Sequence, residues 1–205
     1  NKDGSLGERN DMICAGIEHK MGLKGNATAT LYFGDQGKCV GYLLGEERQG
    51  MKIMFQLMNE ARIFTGIQAQ AVSSAAYMHA VTYARNRIQG THITQMLNPN
   101  APKVAIVEHP DVKRMLLYMK STVEGMRMLT LYLSYNRDII LSSPSAEEVK
   151  EATALVEILT PVVKAGISDA AWLVTAEAMQ VYGGYGYCQD YPVEQYARDS
   201  KVFSI

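Results

Sequence analysis

The densest run of unusual residues is Gln180-Val181-Tyr182-Gly183-Gly184-Tyr185-Gly186-Tyr187, which comes directly off an apolar helical pattern. Three glycines in four positions free the backbone to turn and to approach a ligand closely, and nearby amides can hold an anionic group such as a pyrophosphate. The same residues also suffice for a helix C-cap with an aromatic-stapled turn, and spacing alone leaves both readings open. Other chemistries have less support. A di-iron site in a helical bundle needs inward Glu-x-x-His pairs, whereas His19, His79, His92 and His109 never have Glu three residues before them. No metal site is expected. The sequence offers neither a Gly-x-Ser-x-Gly elbow nor a cysteine placed as a helix N-terminal thiolate, so no catalytic nucleophile is assigned. The methionines on the helices read as core filler, and Glu147-Glu148…Lys150-Glu151 as a solvated helix face.

The elements that must position the glycine turn are mostly helical. From Gly50 to about Arg87, Met54, Leu57, Met58, Ala61, Phe64, Ile67, Ala71 and Ala75 recur at three- and four-residue steps, which predicts one long helix. Residues 88–108 hold Gly90, Pro99 and Pro102 among Asn, Thr and Gln and read as an exposed loop. A second long helix is predicted from Asp111 to about Ile140 on the spacing of Val112, Met115, Leu116, Met119, Val123, Met126, Leu129 and Leu133. Ser145 is a predicted N-cap with the carboxylate of Glu148 reaching back, opening a third helix. Thr160-Pro161 then reads as a new cap with proline at the first position, so that helix is expected to kink or to give way to a fourth running to about Val181. Before all of this, residues 1–48 are β in character. Ala27 to Phe33 and Cys39 to Leu44 alternate as strands around the breaker Gly34-Asp35-Gln36-Gly37, and so few strands are expected to belong to a larger sheet. The expected fold is therefore mostly α, a C-terminal antiparallel four-helix bundle over residues 49–205 preceded by a few strands of an incomplete β-domain over residues 1–48.

With 47% hydrophobic residues, the 205-residue chain has the means to bury a core. Twenty Lys and Arg against twenty-one Asp and Glu give a net charge of -1, so no long-range attraction for nucleic acid or an anionic membrane is expected. Cys14, Cys39 and Cys188 are far apart, odd in number and without a CxxC pair, which points to a reducing, cytoplasmic compartment rather than a disulfide framework. No uninterrupted apolar stretch approaches the roughly 18 residues of a membrane span. The opening on Asn1 and the apolar alternation at Val202 to Ile205 suggest a piece of a longer protein.

Four segments in order, Met58-Asn59-Glu60-Ala61-Arg62, Tyr83-Ala84-Arg85-Asn86-Arg87, the glycine turn from Gln180 to Tyr187, and Tyr191-Pro192-Val193-Glu194-Gln195-Tyr196-Ala197-Arg198-Asp199, closely resemble the acyl-CoA dehydrogenases. Lys20-Met21-Gly22-Leu23-Lys24-Gly25 and Leu43-Leu44-Gly45-Glu46 are similar to the end of that family's middle domain. The resemblance implies FAD as cofactor, an acyl-CoA thioester as substrate, an electron-transfer flavoprotein or similar acceptor as partner, and a homo-oligomer, dimer or tetramer. It also implies a reaction in which a carboxylate of a Tyr-Glu-Gly segment removes the α-proton while hydride leaves the β-carbon for the flavin. Aligned on the glycine turn, that glutamate falls two residues past Ile205. No catalytic residue is therefore assigned within residues 1–205, which by themselves are expected to be inactive.

By the same resemblance, Arg87 matches the arginine that reaches the FAD pyrophosphate on a neighbouring subunit, although a solvated helix-end arginine has the same spacing. Ile88-Gln89-Gly90 opens an insertion of roughly a dozen residues where relatives carry a short Phe-Gly turn. His109 matches a position near the flavin, with Pro110 where glutamine is usual. Gln180, Gly183 and Gly184 match the segment that holds the ADP end of FAD. Asn59 and Arg62 match residues near the acyl-CoA entrance, with a structural inter-helix role for Arg62 as the alternative. Some relatives place the base on the first long helix, but in register it falls on Ala61, and Glu60 is about 100° away around the helix. Arg198 and Asp199 are expected to form a structural ion pair or cap. Two rival readings stay open: a flavoprotein of the same fold without dehydrogenase activity, even a nucleic-acid binder, and a cofactor-free helical interaction module.

Overall fold

Periodic apolar spacing and well-placed caps produce long helices in this chain, and a computed structural model describes residues 3–205. Along the chain two compact units divide between Gln56 and Leu57, within the second turn of the first long helix.

In the first unit, β1 (Met12–Ile17) pairs antiparallel with β2 (Ala29–Phe33), Met12 opposite Phe33 and Ile17 opposite Ala29, with an irregularity between Cys14 and Gly16. The run 39–44, expected as the second strand, is not one. The side-chain amide of Asn10 takes both backbone groups of Val40, donating from Nδ2 to its carbonyl at 2.9 Å and accepting from its N–H at 2.9 Å. Those are the groups a ladder would use. Asp11 Oδ2 accepts from the N–H groups of Gln36 at 2.8 Å and Lys38 at 3.2 Å, folding the turn in which Gly34 and Gly37 take positive φ. Both faces of both strands are exposed.

The second unit is helical. α1 (Gly50–Asn86) buries Ile63 and then a seam of small residues, Gly66, Ala69, Ser73, Ala76, Ala80 and Ala84. The seam brings α1 close to its neighbour: a Cβ added at Gly66 would stand 2.5 Å from Val163 Cγ1 and 3.0 Å from the Val163 carbonyl oxygen. α2 (Pro110–Ser142) buries Met115, Met119, Val123, Met126 and Leu133 at helical spacing, so three of its methionines are core filler as expected. α3 (Ala146–Tyr182) buries Val163, Ile167, Ala171, Val174, Ala178 and Val181. The three residues between α2 and α3 require the two helices to run antiparallel.

Ser145 caps α3 as predicted, its hydroxyl accepting from Glu148 N–H at 3.3 Å. The carboxylate of Glu148 does not return to the cap's own N–H. It accepts from Ser143 Oγ at 2.6 Å, and Ser145 N–H donates to that same Oγ at 3.1 Å. Pro161 does not end the helix. It sits on the exposed side of a continuous α3, between buried Thr160 and Val163, and Thr160 Oγ1 donates to the Val156 carbonyl at 2.7 Å. The missing N–H of proline costs one helical bond on the solvent side, where water can replace it, while the buried face on either side holds the helix together. The fourth helix is accordingly the short α4 (Pro192–Ser200), tied to α3 by a buried Thr175–Ser200 hydroxyl pair at 3.1 Å.

Residues 88–108 are more regular than a loop. β3 (Ile88–Thr91) pairs antiparallel with β4 (Lys103–Ala105), and between them a 3₁₀ turn, Ile93–Gln95, is capped by the His92 ring, which accepts from Thr94 N–H at 3.3 Å. Ile93, Met96 and Leu97 are exposed at the tip. By length and composition α3 is apolar enough to cross a membrane. Its inward face against α2 and the close approach at Gly66 account for that composition in a packed helix.

Candidate functional site

One groove of about 330 Å³ opens where α1 ends and α3 turns, lined by Tyr83, Arg87, Gln89, Gly90, His109, Gln180 and Gly183 among others. Arg87 is the first residue past α1, and its backbone is fixed on both sides. Its N–H donates to the Tyr83 carbonyl at 2.9 Å, and its own carbonyl accepts from Ile106 N–H at 2.8 Å, at the base of the β3–β4 hairpin. Among the described residues no carboxylate pairs with its guanidinium, which lies 5.5 Å from the ring centroid of Tyr185.

Below the groove, Tyr83 and Tyr182 stack with centroids 3.9 Å apart and planes 16° apart, and Tyr191 meets both edge-on. Burial pushes both phenols above their ordinary pKa, so both stay neutral and apolar in character at physiological pH. Tyr182 Oη donates to the His79 carbonyl at 3.3 Å. Gln180, two residues before the end of α3, is exposed beside this floor.

The glycines of the turn divide by role. Gly183 has φ +60° and ψ −140°, a conformation that L side chains rarely adopt, and neither Gly183 nor Gly184 has any atom within 4 Å of an added Cβ. Gly186 packs the turn. Its added Cβ would run into the carbonyl oxygen of Met179 and stand 3.0 Å from Met179 Cα. The helix-cap reading therefore holds at Gly183 and the packing reading at Gly186, with open space left at Gly183 and Gly184.

His109 precedes α2 without capping it through its side chain. Its Nε2 lies 2.7 Å from the Gln89 carbonyl, which can only accept, so that nitrogen is the donor. The ring also fills the space beside Gly90, where an added Cβ would be 3.3 Å away and φ is +73°. Thus His109 fastens the β3–β4 hairpin to the groove, a tie that only the pairing of β3 with β4 makes visible.

Of the five residues matched to cofactor binding, Arg87, His109, Gln180 and Gly183 line this one groove, and Gly184 follows directly in the chain. Asn59 and Arg62 are elsewhere. They lie near the other end of α1, Arg62 at about 37 Å from Arg87 at the standard helical rise. Asn59 is exposed and Arg62 half-buried, with no ion pair to Arg62 among the described residues. Glu60 pairs with Arg137 of α2, so the carboxylate beside the expected base position is committed to holding helices together. Arg198 makes a forked contact with Glu194, Nε to Oε2 at 2.6 Å and Nη2 to Oε1 at 3.0 Å, as residues four apart share a helix face. Asp199 accepts from Gln195 Nε2 at 3.3 Å, and its charge also acts on the neighbouring Arg198.

A larger hollow of about 1090 Å³ lies on the β-unit around Arg9, Asp11, Cys14 and Lys38. It is the open side of a two-stranded ladder, and its Asn10 and Asp11 side chains are committed to the neighbouring turn. The three cysteines are free and exposed, and among the described residues no group of three His, Cys, Asp or Glu side chains is placed to share a metal ion.

Sequence reading missed the aromatic floor. Its signal was the recurrence of tyrosine at 83, 182, 185 and 191 around the glycines, legible only once α1, α3 and α4 are known to converge.

Comparison with known proteins gives the groove a context. The family model described as acyl-CoA dehydrogenase, C-terminal domain, matches residues 48–205. A butyryl-CoA dehydrogenase of Syntrophomonas wolfei is 42% identical over all of this chain and 34% of its own length. A broad-specificity linear acyl-CoA dehydrogenase of Mycobacterium tuberculosis is 41% identical over 98% of this chain and 33% of its own. The chain thus spans about a third of the length of these curated relatives. Among solved structures, an acyl-CoA dehydrogenase of Bacillus anthracis complexed with FAD superposes with a TM-score of 0.79 at 26% identity, covering 95% of this chain and 32% of that one.

Proposed function

The chain belongs to the acyl-CoA dehydrogenase family, and on that premise we propose that it forms part of an FAD-dependent enzyme that dehydrogenates an acyl-CoA thioester between its α- and β-carbons. The observation that carries this reading is the set of uncommitted polar groups converging on one groove: the Arg87 guanidinium, the amide of exposed Gln180 and the open backbone at Gly183 and Gly184. These fit the ADP and pyrophosphate end of FAD. An arginine with a pinned backbone and, among the described residues, no carboxylate partner is available to a phosphate, the glycines leave room for close approach, and the glutamine offers two donors and an acceptor. Bound there, FAD supplies the two-electron acceptor for the hydride that leaves the substrate. His109 sets the wall of the groove through its Nε2 contact with the Gln89 carbonyl.

Asn59 and Arg62 are assigned to the acyl-CoA side, Arg62 as a cation that orients the thioester or supports its entrance. Their separation of about 37 Å or more from Arg87 along one rigid helix favours a homo-oligomer whose site draws the two ends from different copies. Residues 1–48 are read as the end of the middle β-domain and 49–205 as the C-terminal helical domain. An electron-transfer flavoprotein or similar acceptor is the proposed redox partner. A cytoplasmic location is supported by three exposed, unpaired cysteines.

The test is FAD affinity, followed by flavin fluorescence, in the protein that carries this chain. Arg87→Ala removes a charge-assisted contact of roughly 1.5–3 kcal/mol and is expected to weaken FAD by about 10- to 100-fold. Parent affinity in that variant would contradict the assignment of the groove.

A further inference from the structure

We infer that Tyr185 is a positioning residue, whose ring seats the Arg87 guanidinium for the phosphate groups of the cofactor. The inference rests on the FAD reading of the groove and extends it to a residue that acts through Arg87 rather than on the ligand.

Arg87 poses a positioning problem. Its backbone is pinned at both the N–H and the carbonyl, but a long flexible side chain leads from there to the charge. Buried or interface arginines are usually held by a carboxylate, which would neutralise the guanidinium and compete with an anionic ligand. Here the ring of Tyr185 takes that place, its centroid 5.5 Å from Cζ and so within the roughly 6 Å range of a cation–π contact. Such a contact restrains the side chain and leaves its full charge for the ligand.

The ring is itself held. The Tyr185 carbonyl accepts from Cys188 N–H at 3.1 Å, closing the turn, and the ring leans on Tyr191 at 5.2 Å between centroids and 42° between planes. Tyr191 in turn packs edge-on against the Tyr83–Tyr182 stack, and Tyr83 is the residue whose carbonyl pins the Arg87 N–H. The support is a closed circuit from Arg87 through Tyr185, Tyr191 and Tyr83 back to Arg87. Gly186 sets the circuit's shape, since any larger residue beside Met179 would displace the turn.

A double-mutant cycle on FAD affinity tests this in the protein that carries the chain, with FAD as the probe and flavin fluorescence as the readout. Tyr185→Leu is expected to weaken FAD by about 2- to 5-fold, the scale of an exposed cation–π contact. Tyr185→Phe keeps the ring and is expected to stay within about twofold of the parent. In an Arg87→Ala background, Tyr185→Leu should cause no further loss. An equal loss in both backgrounds would overturn the inference and leave the FAD reading standing, as would a Phe variant as weak as the Leu variant. Parent affinity in Arg87→Ala alone would overturn the FAD reading, and the positioning role with it.

Discussion

In the β-unit the side chains of β1 and β2 are exposed on both faces, and shape comes from polar clips: Asn10 on Val40, Asp11 on Gln36 and Lys38, the Lys20 ammonium on the carbonyls of Leu23 and Asn26. In the helical unit polar contacts such as Glu60–Arg137 and Thr175–Ser200 are added to buried faces, which set the shape, and to a small-residue seam where two backbones nearly touch at Gly66. Exposed hydrogen bonds fix geometry but contribute little net stability, because water competes for the same groups. Buried apolar surface contributes most of the stability. The comparison teaches that the groove can be rigid because it is built on the second kind of unit.

The largest expected effect sharpens that contrast directly. Leu133 is fully buried in α2, and Leu133→Ala should cost about 3 kcal/mol by chemical denaturation of the 205-residue chain. Phe33, 63% exposed on β2, should cost within about 0.5 kcal/mol when truncated in the same way. Equal losses would erase the distinction between the units.

A smaller effect is expected in the β-unit alone. Asn10→Ala removes both bonds to Val40 and should speed amide exchange at Val40 by about 3- to 10-fold, with exchange along α2 and α3 unchanged. Protection lost in the helices as well would mean that the units do not hold themselves together separately.

The smallest concerns pH. Burial keeps the phenols of Tyr83 and Tyr182 protonated above the ordinary 10.0, so the folded chain retains protons that the unfolded chain gives up. Their contribution is complete below about pH 10 and is lost as pH rises through the raised values. Helical circular dichroism in urea between pH 8 and 11 should record this decline, and Tyr182→Phe should flatten it. An unchanged slope in the variant would place the titration elsewhere.

The helices were legible because their signals are local: spacing at α1 and α2, and a serine cap at α3 that forms as read. Pro161 misled because a proline's effect depends on which side of the helix it occupies, a matter of tertiary placement. The run 39–44 misled because alternation cannot reveal that a side chain thirty residues earlier takes the backbone groups a strand would use. In the groove, the glycine turn was visible as a motif, and the roles of Arg87, His109 and Gln180 came from family resemblance. The recurrence of tyrosine around the glycines was the one trace of Tyr185's part, and the Gln89 carbonyl left none, since both parts arise only where α1, α3 and the hairpin meet.

The seam of α1 also bears on how such a sequence can change over generations. At Gly66, Ala69, Ala76, Ala80 and Ala84 there is almost no smaller residue to become, so nearly every substitution adds volume against a neighbour that has none to give. Val163 already stands against the hydrogen of Gly66. Accepted changes there should come as matched exchanges, a gain of bulk on one helix answered by a loss on the other, and a lone replacement should be purged before its partner arises.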